Sequence, residues 1–417
     1  MKTWIEVSES RLTANYNALT RATNRDPAPI NQSETAPNTT VLAVVKANAY
    51  GHGAAVCAPI LARAAAPWLG VTDVAEGALV RAALTAAGID LARQPQILIM
   101  CGLLQQDAPA VIHHRLTPVL WEPRHIDWLT TAFLQQDHQP DGPPAAVPVH
   151  LEIDTGMTRQ GIPPGPALNA LLRLLKSQDK LHLDGVMTHF ASSEVAGSAQ
   201  TLTQRKLFEQ SVTAVSAASL RPTWLHAGNT STVDNQGLEQ NLPWLRALAV
   251  PIGATPMVRT GLGLYGYSLP IENASTTPIH DVQPQLRPVM SWKTRILDLR
   301  TARPGDTIGY NATFSSSRPM QIALLPIGYA DGLRRELSAS NTHPGGWVII
   351  AGHRAPIVGR ISMNLTTVDV TAIPNLSPGD EVTILGDGIT ANDHARLART
   401  ISYEILCGIR AQSHPVA

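Results

Sequence analysis

One lysine and the turn after it carry the strongest chemical signal in this chain. In Val41–Gly53, VLAVVKANAYGHG, five apolar residues run directly into Lys46. A Gly- and Ala-rich turn with Asn48, Tyr50, Gly51, His52 and Gly53 follows. A lysine at the C-terminal end of a buried strand sits where barrel enzymes assemble their active sites. Burial disfavours an ammonium and exposes the neutral amine, the form that condenses with an aldehyde. The same placement suits a lysine that only snorkels out of a strand end. The segment by itself leaves these two readings level.

The elements around that lysine follow a repeating pattern. Val41–Val45, Trp68–Thr72, Ile97–Met100, Leu116–Trp121, Val147–Ile153, Leu183–Thr188 and Thr223–His226 are short apolar runs that read as buried strands. Helical stretches lie between them: one after the N-cap candidate Asp73 through Ala82, then Asn169–Lys176 and Ala199–Ser219. This is the rhythm of a parallel sheet covered by helices. Seven or eight such units favour a closed (β/α)8 TIM-type barrel over an open sheet. Arg25–Thr40 and Pro140–Pro148 are proline-rich and read as surface loops or tolerated insertions.

The last third differs. Met290–Leu299, Met320–Leu325, Trp347–Ile350 and Thr366–Val370 read as strands between turns such as Arg303-Pro304-Gly305-Asp306 and Ser377-Pro378-Gly379-Asp380. Ala391–Thr400 reads as a capped helix. The expected organisation is an α/β barrel over residues 12–280 and a mostly β C-terminal domain over residues 281–417, joined by an N-terminal strand in residues 1–11.

Composition narrows the function. The 417 residues are 44% apolar and 15% charged, enough for a sizeable core. Lys+Arg and Asp+Glu are both 32, so there is no basic excess for nucleic acid or an anionic membrane. Three cysteines, Cys57, Cys101 and Cys407, without CxxC spacing speak against a disulfide framework or a cysteine-built metal site and fit a reducing, cytoplasmic setting. No apolar run reaches the ~18 residues needed to span a bilayer. The N-terminus shows no secretory signal.

AVVKANAYGHG resembles the pyridoxal 5′-phosphate (PLP) lysine motif of alanine racemases, fold-type III enzymes. The resemblance continues in order through LEIDTGMTRQGI, DGVMTHF, LHAGNTS, VRTGLGLYG, GYNATF, PIGYADG, RISMN and ISYEIL. It implies that Lys46 carries PLP as a Schiff base and is one catalytic base, with Tyr310 the other. Tyr50, Asn229, Thr230, Tyr403 and the backbone at Gly261 and Leu262 would bind the phosphate. Arg259 would face the pyridine nitrogen, and His189 would pack near the ring. Arg159 and Met363 would bind substrate, with Tyr329, Asn364 and Glu152 in support. No metal is expected. Taken alone, His189, Arg159 and Arg259 also suit structural roles, and Asn229-Thr230 also suits a helix cap.

Racemisation removes an unactivated α-proton and returns it from the opposite face. PLP supplies an electron sink, after which two bases suffice. Tyrosine, with an ordinary pKa of ~10, needs cationic neighbours to act as a base, and Arg259 acting through His189 is the natural source. Tyr310 lies far from Lys46 in sequence, and the resemblance implies that it reaches the barrel mouth of the other subunit of a homodimer. The resemblance also implies D-alanine supply for peptidoglycan. Racemisation of another small amino acid such as serine is the alternative. A PLP-dependent decarboxylase is disfavoured by Arg259, and a non-catalytic PLP carrier by the long β domain.

The chain departs from the family at several positions. Glu152 stands where many members have a lysine carbamylated by CO₂, and is expected to pair with Arg159 directly or through water. Asn364 and Ser362 stand where Asp and Cys are common. Asn311 and Thr158 stand where glycine is frequent.

Overall fold

The computed structural model describes residues 2–25, 37–135, 146–235, 240–272 and 280–417. The proline-rich residues 26–36 and 140–145 lie outside these. Two compact units emerge. One comprises Thr13–Lys46 and Ala58–Leu286, the other Met1–Leu12, Ala47–Cys57 and Arg287–Ala417.

The strand β1 (Thr3–Ser8) belongs to the second unit. The first unit is a closed parallel barrel of β2 (Thr40–Val44), β3 (Trp68–Val71), β4 (Gln96–Ile99), β5 (Thr117–Leu120), β6 (Val147–Glu152), β7 (Leu181–Met187), β8 (Trp224–His226) and β9 (Thr255–Thr260). β9 closes on β2 with Leu42 opposite Arg259. The strands are buried along almost their whole length, as a helix-covered parallel sheet requires. The eighth strand, TPMVRT, escapes the sequence reading because a proline and an arginine interrupt its apolar run. Asp73 is an N-cap as expected, its carboxylate accepting the Glu76 N–H, and the helix runs over Val74–Ala86.

The second unit contains β10 (Met290–Arg295), β15 (Trp347–Ile350), β16 (His353–Pro356), β18 (Glu381–Leu385) and β19 (Gln412–Val416). With β1 they form a six-stranded sheet of order β16-β15-β18-β10-β1-β19. β1 pairs antiparallel with β10 and parallel with β19. β11 (Asp298–Ala302), β14 (Met320–Leu325) and β17 (Thr366–Asp369) form a second sheet around a small core of Ala302, Ile308, Met320 and Val358. The single strand expected over Met290–Leu299 is two. At Ile296–Leu297 the chain leaves β18 for β14: Ile296 donates to the Asp380 carbonyl and Leu297 to that of Leu324. Both Pro-Gly turns form as read, with Asp306 N–H on Arg303 O and Asp380 N–H on Ser377 O.

Candidate functional site

Lys46, Glu152, Arg159, His189, Asn229, Thr230, Gly261 and Leu262 all lie at or just beyond C-terminal strand ends of the barrel, and Arg259 sits within β9. Parallel strands bring those ends to one mouth. Lys46 follows β2 after Val45, whose N–H donates to the Gly70 carbonyl at 2.8 Å. Tyr265 secures that strand end by donating its buried hydroxyl to the Val44 carbonyl at 3.0 Å.

Beyond Lys46 the backbone does something unusual for L-residues. Ala47, Asn48, Ala49 and Tyr50 have φ of 51°, 52°, 56° and 52°, a left-handed turn of non-glycine residues. Such residues cost roughly 1–2 kcal/mol each. The turn is braced by Gly51 N–H on Ala47 O, Gly53 N–H on Asn48 O, and the Asn48 side chain accepting Ala54 N–H at 2.8 Å.

Arg259 is buried in the barrel and holds several partners. Its Nη2 donates to the Thr188 carbonyl at 2.9 Å and to His189 Nδ1 at 3.0 Å, and its Nη1 faces His226 Nδ1 at 3.3 Å. Arginine carries only donors, so both ring nitrogens accept and each proton sits on Nε2. His226 Nε2 then donates to His150 Nδ1 at 2.9 Å, and His150 Nε2 points toward Asp184, 3.7 Å away. Burial first, then Arg259, Arg159 and Lys46, push His189 down to about 3. Burial also lowers Arg259, to about 10, which leaves it cationic at neutral pH. The Cys101 thiol lies within the same field: burial raises it, and Lys46 and Arg159 oppose the rise.

At the neighbouring strand ends, Asn229 proves to be an N-cap: its side chain accepts Thr232 N–H at 3.2 Å. Thr230 Oγ1 accepts Gly263 N–H at 3.1 Å. After Gly261 the chain forms a four-residue 3₁₀ turn, Leu262–Tyr265, whose first N–H groups have no partner within the turn.

The remaining candidates lie in the second unit. Tyr50 and Tyr403 bring their rings to 5.8 Å, and burial raises the Tyr50 phenol, keeping it a neutral donor. Tyr310, 65% exposed, and Tyr329 border a cleft of about 840 Å³ with Ile361, Glu404 and Cys407. Met363 and Asn364 are exposed, and the Met363 carbonyl accepts Ala330 N–H at 2.9 Å.

Two family models account for most of the chain, "Alanine racemase, N-terminal domain" over residues 30–269 and "Alanine racemase, C-terminal domain" over residues 289–416. The chain belongs to the alanine racemase family. It is 33% identical over 410 residues to an alanine racemase of Syntrophobacter fumaroxidans, covering 97% of this chain and 95% of that protein. A Symbiobacterium thermophilum alanine racemase is 34% identical, with 98% and 94% covered. Among solved structures, the alanine racemase of Streptomyces coelicolor A3(2) matches with a TM-score of 0.80 at 27% identity, covering all of this chain and 98% of that one. A Bartonella henselae alanine racemase with covalently bound pyridoxal phosphate matches at 0.73 and 25% identity, with both chains fully covered.

Of the two pairings expected for Glu152, the direct one with Arg159 does not form. The direct partner of Glu152 is the Gln160 amide rather than Arg159, and Gln160 also donates to Met100 O at 2.8 Å. Burial raises the Glu152 carboxyl, opposed by Gln160, Arg259 and Arg159. Asn311 and Thr158 have φ of 62° and 58°, where glycine alone carries no steric penalty. Gln160, Gln204, Tyr265, His150 and His226 were not singled out from sequence. Nothing in a glutamine or a strand histidine announces its partner, although the position of Gln160 beside Arg159 was available as a signal. Among the described residues, no group of three or more His, Cys, Asp or Glu could hold a metal, and no helix is long and apolar enough to cross a membrane.

Proposed function

We propose that this chain interconverts L- and D-alanine with PLP bound through Lys46, and that Lys46 and Tyr310 are the two bases that handle the α-proton. The observation that carries the reading is the mouth itself, where Arg259 donates to His189 at 3.0 Å and Arg159 and Lys46 act on the same imidazole. The donor set suits a phosphorylated aromatic aldehyde. There is an amine for the aldehyde and a guanidinium for the ring nitrogen. Thr230 and the backbone after Gly261 would hold the phosphate, and Tyr50 and Tyr403 are proposed as further neutral donors to it. At Gly263 a Cβ would stand 3.0 Å from Thr230 Cγ2 and 3.1 Å from Leu19 Cδ2, so a larger residue there would press on Thr230.

When bound, the cofactor supplies the electron sink that makes the α-proton removable. The chain's own residues do the rest. Lys46 takes or returns the proton on one face. Arg159 grips the substrate carboxylate, a pairing guanidinium geometry favours. Arg259 stays charged and, together with burial, keeps His189 neutral with its proton on Nε2. Tyr310 comes from a second copy, supported by its exposure beside exposed Tyr329, Met363 and Leu365. Met363, Asn364 and Tyr329 border the substrate on that side. The setting is cytoplasmic, and the D-alanine serves cell-wall peptidoglycan.

Borohydride reduction of the purified protein, peptide mapping and a chiral assay with L-alanine test the reading together. The expected result is a pyridoxyl adduct on the Lys46 peptide and formation of D-alanine. A colourless protein with unmodified Lys46 in excess PLP would overturn it.

A further inference from the structure

The helix Ala199–Ala217 carries Gln200 and Gln204, four residues apart and so on one face. Gln204 is 1% exposed. Its Nε2 donates to the His189 carbonyl at 2.8 Å and to Thr155 Oγ1 at 3.1 Å, and its Oε1 accepts the Ala191 N–H at 2.9 Å. Thr155 Oγ1 lies 2.7 Å from Thr188 Oγ1, which donates to the Ile153 carbonyl at 2.9 Å. One turn earlier, Gln200 repeats the pattern at the solvent. Its Oε1 accepts from Ser192 Oγ at 2.7 Å, and its Nε2 reaches the Gly156 carbonyl at 3.4 Å.

Both glutamines therefore bridge the same two segments. One follows β6 and leads to Arg159; the other follows β7 and contains His189. We propose that Gln204, seconded by Gln200, is a positioning residue that fixes the Arg159 loop against the His189 strand end. This rests on the roles given above to Arg159 and His189. An apolar side chain would fill the same space without the cost of burying an amide. What the amide adds is direction, because its bonds hold the backbone on both sides of Phe190 and tie it across to Thr155. A shift of 1 Å in a site of this kind can cost on the order of 10²-fold in rate.

The test uses the holoenzyme with Gln204→Leu, Gln204→Glu and Gln200→Ala. It measures kcat and KM for L-alanine across pH, alongside Tm and far-UV circular dichroism. Gln204→Leu is expected to lose at least ~10-fold in kcat/KM, uniformly across pH. Gln204→Glu lacks the donor while ionised, and burial raises a carboxyl pKa. Its kcat/KM relative to wild type should therefore climb as pH falls from about 9 to about 6. Gln200→Ala should raise KM about two- to threefold with kcat retained, a loss of roughly half a kcal/mol in line with one exposed hydrogen bond. Folded Gln204 variants with wild-type kcat, KM and pH profile, or with a lowered Tm alone, would overturn the proposal. If neither Gln204 variant folds, an unchanged KM in Gln200→Ala overturns it. A wild-type enzyme that does not racemise alanine would instead strike the functional reading.

Discussion

Nη2 of Arg259 lies 3.0 Å from Nδ1 of His189, and that contact fixes where the histidine keeps its proton. The same guanidinium orders a second ring, His226, and through it His150. One buried cation thus sets the tautomers of three histidines, leaving one donor at His189 Nε2 and another at His150 Nε2, toward Asp184.

Replacing Arg259 should disturb both donors. In Arg259→Gln the His189 pKa is expected to rise from about 3 while staying below its ordinary value, because burial, the larger cause, remains. Imidazole ¹⁵N titration reads this directly. The rate should fall by about 10²-fold, the usual cost of one preorganised charged group. A His189 signal that still titrates near 3 would show that the guanidinium does not act on it.

Buried neutral histidines also make stability depend on pH. Burial holds His52 and His394 at about 4 and His189 at about 3, all below the 6.5 expected when unfolded. The unfolded chain therefore binds protons first. Stability is complete above about pH 6.5 and is lost as pH falls toward 4 and 3, by up to about 1.4 kcal/mol per pH unit for each such group. Urea midpoints between pH 8 and 4.5 should show the decline, and His394→Gln should flatten it by one group's share.

The Glu152–Gln160 pair should govern substrate binding more than folding. Glu152→Gln is expected to raise KM for alanine about threefold to tenfold, the equivalent of one ordinary intramolecular hydrogen bond, with Tm little changed. Because burial raises the carboxyl, KM in the wild type should begin to climb at a higher pH than a solvent-exposed glutamate would allow. A Glu152→Gln, Gln160→Ala cycle should be non-additive; strictly additive effects would separate the two residues.

The left-handed turn after Lys46 is strained. Ala47→Gly should relieve one residue of it and stabilise the fold by up to ~1 kcal/mol after the added entropy of glycine in the unfolded chain. The same freedom loosens the approach to Lys46, so kcat should fall while Tm rises. A rise in both would mean the strain has no part in holding the amine.

Legibility from sequence followed physical range. The barrel strands were readable because burial on both faces leaves an unbroken apolar run, and the Lys46 motif because its residues are contiguous. The β9 strand was obscured where Arg259 interrupts the apolar pattern in order to reach the site. QSHPV in β19 was obscured by Pro415, which an edge strand tolerates. The Glu152–Gln160 and Gln204–His189 contacts depend on side-chain direction across strand ends, which residue types do not encode. Expecting Glu152 to meet Arg159 was reasonable on charge alone; a nearer amide took the carboxylate instead.

The pairing of β1 with β19 has a consequence for synthesis. Trp4 and its neighbour Gln412 are separated by about 400 residues, a loop closure that contributes nothing until both ends exist. The opening strand must therefore stay unpaired during synthesis until its neighbours in the sheet have been made. A chaperone that shields Trp4, Ile5 and Val7 during that interval would matter more to yield than one that acts on the finished enzyme.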